Sequence, residues 1–230
     1  MHKPKFEIVL VDADETIFDF QKAEYTAFNM TLNSFGKNCS DDDFKVYSDI
    51  NLKCWKELEK GTISRETLKV KRFDMWFEYM GIELDSKEFN DRYAPNLGKC
   101  GFLIPGAYEF LENLSKICNV YIITNGLVAS QTGRFNASTI KPFIKKLYIS
   151  EAIGFSKPKK EFFDFCIDDI GDCDRSKYIV LGDSLTSDMQ GGRNASIVTC
   201  RYSRNGEMTR SPLCDYEIDC YEDFFKILYT

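Results

Sequence analysis

The sequence predicts an α/β protein, a doubly wound (Rossmann-like) parallel sheet with a helical insertion after its first strand. Three observations predict it. Short continuous apolar runs end in small, polar or acidic residues, as strands covered on both faces do. Helix-like stretches alternate with the later runs. One long segment between the first run and the second carries helical signals and no strand run.

The first run is Ile8-Val9-Leu10-Val11 before Asp12. From about Gln21 to about Gly98 the pattern is helical. Asp41-Asp42-Asp43 suits the cap and first turn of a helix through Glu59, with Gly61 just beyond it. Ser64 opens the next helix, whose Phe73, Trp76, Phe77 and Met80 follow i, i+3, i+4, i+7 spacing before Gly81 stops it. That stripe suits packing between helices better than a pocket lining. Asp85 and Glu88 have capping-box spacing. Beyond the insert, Pro105-Gly106 precedes a helix over 107–116, and Val120 to Ile123 is a strand run before Thr124. Leu147 to Ile149 is another, before Ser150. Lys160 to Ile170 suits a helix closed by Gly171. Tyr178 to Leu181 is a strand run before Gly182-Asp183, a short helix starts near Thr186, and Ile197 to Cys200 is a weaker strand. The predicted domains are therefore 1–20 with 99–230 as the α/β core and 21–98 as the helical insert.

The chain has 230 residues, 43% hydrophobic and 29% charged, enough for a sizeable core and far from the recipes of disorder or fibre. Its formal charge of -6 argues against a long nucleic-acid partner. The single histidine is His2, near a terminus, so Ser-His-Asp, Cys-His and His-rich metal chemistry have no usable imidazole. Chemistry must run on carboxylates, hydroxyls, thiols or lysines. Nine cysteines without CxxC spacing predict reduced thiols. No signal-peptide core and no apolar stretch of roughly 20 residues occurs, so a cytoplasmic location away from membranes is expected. Neither GxxxxGKS/T nor GxGxxG is present.

In doubly wound sheets ligands sit outside the carboxyl ends of the strands; three polar stretches follow strands directly, and a fourth precedes the helix that starts at Lys160. Asp12-Ala13-Asp14-Glu15-Thr16 follows the first strand. Asp41/Asp43 and Asp172/Asp174 have the same spacing but suit caps or loops; only Asp12 and Asp14 stand at a buried strand's end. Thr124-Asn125-Gly126 brings a hydroxyl, backbone amides and a glycine suited to an anionic oxygen, or to a plain turn. In Ser156-Lys157-Pro158-Lys159-Lys160 one lysine could neutralise phosphate, though such a run also suits solvated surface. Gly182-Asp183 with Asp188 five residues on offers oxygen ligands suited to Mg²⁺ if Asp183 faces Asp12, or merely a helix cap.

Asp-x-Asp-x-Thr, a hydroxyl residue after a later strand, Lys-Pro and Gly-Asp-x(4)-Asp, in that order from Asp12 to Asp188, resemble the four motifs of the haloacid dehalogenase superfamily. The helical insert resembles the C1 cap of its phosphatases. Asp-Ala-Asp-Glu-Thr, Ile-Thr-Asn-Gly and Ser-Lys-Pro-Lys-Lys resemble its pyrimidine 5'-nucleotidase branch, in which Glu15 replaces the usual glycine. The resemblance implies a Mg²⁺-dependent phosphomonoester hydrolase in which Asp12 becomes an aspartyl-phosphate and Asp14 moves the protons. It also implies that Thr124 and the Asn125 amide hold phosphoryl oxygens while Lys157 offsets charge. Mg²⁺ would be held by Asp12, the Asp14 carbonyl and Asp183, with Asp188 as a ligand through water or an orienter of Lys157, and Thr16 as a support for the nucleophile loop. The implied partner is a small phosphorylated metabolite, a nucleoside monophosphate first. The alternatives are another capped phosphatase (phosphoglycolate, sugar phosphate), a sugar phosphomutase, or an inactive binding protein on the same fold. Dehalogenation fits poorly, because dehalogenases of the family lack the second aspartate and a halide needs no proton. The insert would carry substrate preference; oligomeric state is open.

Overall fold

The computed structural model describes residues 3–229, so His2 lies outside the described residues. The described residues form two compact units, one comprising residues 3–20 and 101–229 and the other 21–100.

The first unit is built on a six-stranded, all-parallel sheet of order β3-β2-β1-β4-β5-β6. Its strands are β1 (Ile8–Asp12), β2 (Asn119–Thr124), β3 (Lys146–Ile149), β4 (Tyr178–Gly182), β5 (Val198–Tyr202) and β6 (Tyr216–Ile218). All five residues of β1 and of β4 are buried, which is why both are continuous apolar runs in the sequence. Alternation sorts their side chains to opposite faces. Val9, Val11, Ile179 and Leu181 pack with Phe110, Leu111, Leu114, Phe224 and Ile227 from helices α5 (Ala107–Leu114) and α10 (Tyr221–Ile227). Ile8, Leu10, Tyr178 and Val180 pack with Phe162, Phe163, Cys166 and Ile167 of α8 (Lys160–Ile170). Helices α6 (Val128–Ala137), α7 (Ser150–Ile153) and α9 (Gln190–Asn194) complete the layers.

Because β1 lies between β2 and β4, the chain leaves it toward opposite sides, and a crevice opens at the carboxyl ends of these neighbours. Asp12, Thr124 and Gly182 are the last residues of β1, β2 and β4. Adjacent strands run about 4.8 Å apart, so this topology alone brings three of the four motifs together.

The second unit holds α2 (Asp41–Glu59), α3 (Arg65–Met80), α4 (Ser86–Gly98) and nearly all of α1 (Phe20–Ser34). Ser40, rather than Asp41, caps α2: its hydroxyl accepts from the Asp43 amide, and the Asp43 carboxylate accepts from the Ser40 amide. Ser64 caps α3, and Gly81 ends it in the left-handed region at φ 62°. Asp85 caps α4. Phe73, Trp76 and Phe77 are buried among Phe28, Tyr47, Phe89 and Tyr93, with Phe28 and Tyr47 stacked at 4.1 Å, so the aromatic stripe is a packing surface. A polar chain crosses that core. Arg72 donates to Asn51 and Asn90 and lies over the Phe73 ring, and Glu24 accepts from Ser48 and Asn51.

Several elements depart from expectation. The predicted helix near Thr186 begins as a π turn over 185–189, and only 190–194 is α-helical. Strand β6 and helices α6, α7 and α10 had no counterpart in the sequence pattern. β6 has three residues, two of them only partly buried, and α6 carries Gly133 and few apolar residues.

Candidate active site

Lys157 stands in the stretch between α7 and α8, just before Pro158. It is 1% exposed, so the solvated-surface alternative fails for this lysine. Its ammonium donates to Asp12 Oδ1 at 2.5 Å, Asp188 Oδ1 at 2.6 Å and the Ile123 carbonyl at 3.3 Å. A buried ammonium requires such partners. Its position is set by Asn125, whose side-chain amide donates to the Lys157 carbonyl at 2.8 Å and whose Oδ1 accepts from the Lys157 amide at 2.9 Å. The side chain of the second motif thus fixes the backbone of the third.

Carboxylate oxygens of Asp12, Asp183 and Asp188 lie within 4.8 Å of one another. Burial, and then the Asp188 charge, raise Asp12 well above the usual carboxylate range against the pull of Lys157. The same causes push Asp183 up to about 7. Burial pulls Lys157 down, but Asp12 and Asp188 outweigh it and hold the ammonium above the ordinary lysine range. Three carboxylates therefore face one ammonium, a set short of positive charge and made wholly of oxygen donors. These are the requirements of a hard divalent cation. Asp188 is fully buried and already committed, to Lys157 through Oδ1 and to the Ser184 amide through Oδ2 at 3.2 Å. Gly182 leaves it room, since a Cβ there would overlap the Asp188 carboxylate. Asp183 is half-buried, and its carbonyl accepts from Arg201 Nε at 3.1 Å.

Thr124 is buried, and its hydroxyl oxygen accepts from the Gly126 amide at 3.0 Å, leaving the O–H proton able to point elsewhere. Thr16 approaches Asp12 Oδ2 at 3.5 Å, and its carbonyl accepts from Tyr221. Asp14 points to α6, where Gln131 Nε2 donates to one oxygen at 2.7 Å and Arg134 pairs with the other. Neither residue was singled out from the sequence. Their i, i+3 spacing behind Thr-Asn-Gly is the available signal, and it is faint because polar residues on a weak helix suit solvent equally well. Glu15 adopts φ 58° and pairs with Arg204, which also holds Asp19.

A doubly wound parallel sheet with acids at the carboxyl ends of its central strands, and a buried lysine bonded to Asp12 and Asp188, defines a carboxylate-and-lysine site at the edge where such sheets take their ligands. The chain belongs to the haloacid dehalogenase-like hydrolase family, whose model matches residues 9–201. It is 33% identical to the pyrimidine 5'-nucleotidase PynA of Streptococcus pneumoniae, across 97% of this chain and 95% of PynA. It is 30% identical to the pyrimidine 5'-nucleotidase YjjG of Escherichia coli, across 85% of each. The solved structure of the HAD-hydrolase YfnB from Bacillus subtilis, bound to magnesium, matches with a TM-score of 0.91 at 31% identity, over 98% of this chain and 100% of that one. Among the described residues no helix is long and apolar enough to cross a membrane.

Proposed function

We propose that this hydrolase is a Mg²⁺-dependent phosphomonoesterase working through an aspartyl-phosphate, with pyrimidine nucleoside monophosphates as its first substrate class. The observation that carries the reading is the buried Lys157 ammonium bonded to both Asp12 and Asp188, with Asp183 in reach. Asp12 attacks phosphorus in line; the phosphorus–ester oxygen bond breaks, its electron pair goes to the leaving oxygen, and Asp14 supplies that oxygen with a proton. Asp14, now a carboxylate, takes a proton from water as the water attacks the acyl phosphate, releasing inorganic phosphate and restoring Asp12. Lys157 offsets the charge gathered around Asp12, and Thr124 with the Asn125 amide holds phosphoryl oxygens. Asp12, the Asp14 carbonyl and Asp183 would hold Mg²⁺, which when bound neutralises charge on the phosphoryl group and the crowded carboxylates. Asp188 acts by orienting Lys157. We assign the helical segment 21–98 the role of cap, the part that chooses among phosphomonoesters.

The nucleotide preference is supported by the likeness to PynA and YjjG, together with the Asp-Ala-Asp-Glu-Thr wording at Asp12. A panel of nucleoside monophosphates, sugar phosphates and phosphoglycolate, assayed for phosphate release with and without Mg²⁺, tests the reading. Fastest release from pyrimidine nucleotides, abolished by chelation and by Asp12→Asn, is expected. Metal-independent release, or release that survives Asp12→Asn, overturns the mechanism; a flat profile overturns the nucleotide preference alone.

A further inference from the structure

We propose that Gln131 and Arg134 are positioning residues for Asp14, and that Gly126 is glycine because Gln131 occupies the space of its missing side chain. This inference rests on the reading of Asp14 as the proton carrier.

The Asp14 carboxylate is 29% exposed, whereas Arg134 is 0% and Gln131 3% exposed. The reactive group thus faces outward while its two holders lie behind it. Each oxygen has its own donor, Gln131 Nε2 on Oδ2 and an Arg134 guanidinium nitrogen on Oδ1, so neither rotation of the carboxyl plane nor a change of side-chain rotamer is possible without breaking a bond. The holders are themselves fixed. The Arg134 guanidinium carbon lies 4.7 Å from the centre of the Phe18 ring and 5.6 Å from that of Phe20. Gln131 lies against Gly126, where an added Cβ would stand 2.6 Å from Gln131 Cγ and 2.8 Å from its Cδ.

The turn after β2 and the loop after β1 are joined in this way. A two-step mechanism gains from the arrangement, since one aspartate must meet first a leaving oxygen and then a water, and small misplacement of a proton carrier is costly. Gly126 lacks the left-handed φ that would make glycine a conformational necessity, so packing is the reason for it. A flexible anion-binding turn, the role suggested by the sequence, does not require this contact.

The test uses the full chain with Mg²⁺ and two esters, an alkyl phosphate, whose alkoxide must be protonated as it leaves, and p-nitrophenyl phosphate, whose phenolate leaves without a proton. Gln131→Met and Gly126→Ala remove the glutamine contact by independent routes. Each is expected to lower kcat/KM for the alkyl ester by about tenfold to a hundredfold, and for the nitrophenyl ester by no more than about twofold. Arg134→Met should show the same selectivity, with partial recovery in Arg134→Lys. In thermal unfolding of the metal-free protein, Asp14→Asn and Arg134→Met should be non-additive, a readout independent of turnover. Equal falls on both esters, or none, while Asp14→Asn remains selective for the alkyl ester, overturn the positioning role alone. Asp14→Asn that is itself unselective, or wild-type protein that hydrolyses neither ester, overturns the reading of Asp14 and this inference with it.

Discussion

Lys157→Met keeps a long unbranched side chain in the buried position and removes the ammonium together with its hydrogen bonds to Asp12, Asp188 and the Ile123 carbonyl. At an effective dielectric constant near 20, the ammonium's attractions to Asp12 at 2.5 Å and Asp188 at 2.6 Å are each worth about 6 kcal/mol, much of it offset by the cost of burying the ammonium. Removing one partner of a buried ion pair costs about 3–5 kcal/mol, because the remaining charge is left uncompensated. Here two carboxylates are left, with Asp183 nearby. For a chain of this size the loss corresponds to a fall in Tm of about 10 °C in metal-free protein. Differential scanning calorimetry with chelator and with excess Mg²⁺ measures it. Mg²⁺ should raise the Tm of the variant more than that of the wild type, since the bare carboxylates gain more from a dication. A fall below about 2 °C without metal, or an equal Mg²⁺ response in both proteins, refutes the reasoning.

Asp183, raised to about 7, makes the folded metal-free protein bind protons more readily than the unfolded chain, so its stability should fall as pH rises from about 4 to about 7. Thermal shifts across that range should therefore show Mg²⁺ stabilising the protein more at neutral pH than near pH 5; a pH-independent Mg²⁺ shift counts against the site. Asp183→Asn should weaken Mg²⁺ binding in calorimetric titration by about tenfold or more, whereas Asp188→Asn should lower metal-free Tm with a smaller effect on affinity. The reverse order would make Asp188 the ligand. Glu217 is pushed up by burial, but the Thr209 and Arg210 amides and Arg201 outweigh this and hold it at about 2. A depressed acid stabilises above its unfolded pKa and loses that contribution as pH falls through the folded one, so Glu217→Gln should cost about 3 kcal/mol at neutral pH and almost nothing near pH 2. Urea unfolding at both pH values checks it.

Much of the fold was legible because β1 and β4 are buried on both faces and so carry no polar residue before their ends. Asp12 and Asp183 stood out for that reason, and Thr124 stood out at the end of the apolar run Val120 to Ile123. The end of α8 was legible through Gly171, which is left-handed at φ 83°. By contrast, β6 owes its existence to pairing with β5, a long-range gain that three residues cannot announce. The partners of Asp14 were hidden for a related reason. Gln131 and Arg134 belong to a helix whose own sequence is weak, and only folding reveals that its polar face is buried against the first motif. Lys157 was visible, but within a run of charged residues its burial was not.

The most direct test of the account is acid quenching of the protein during turnover of a good phosphomonoester with Mg²⁺, followed by peptide mass mapping. The phosphoryl group is predicted on the peptide carrying Asp12, and absent when Asp12 is replaced by Asn. A phosphoryl group on any other residue, or full turnover by Asp12→Asn with no covalent species, would contradict it.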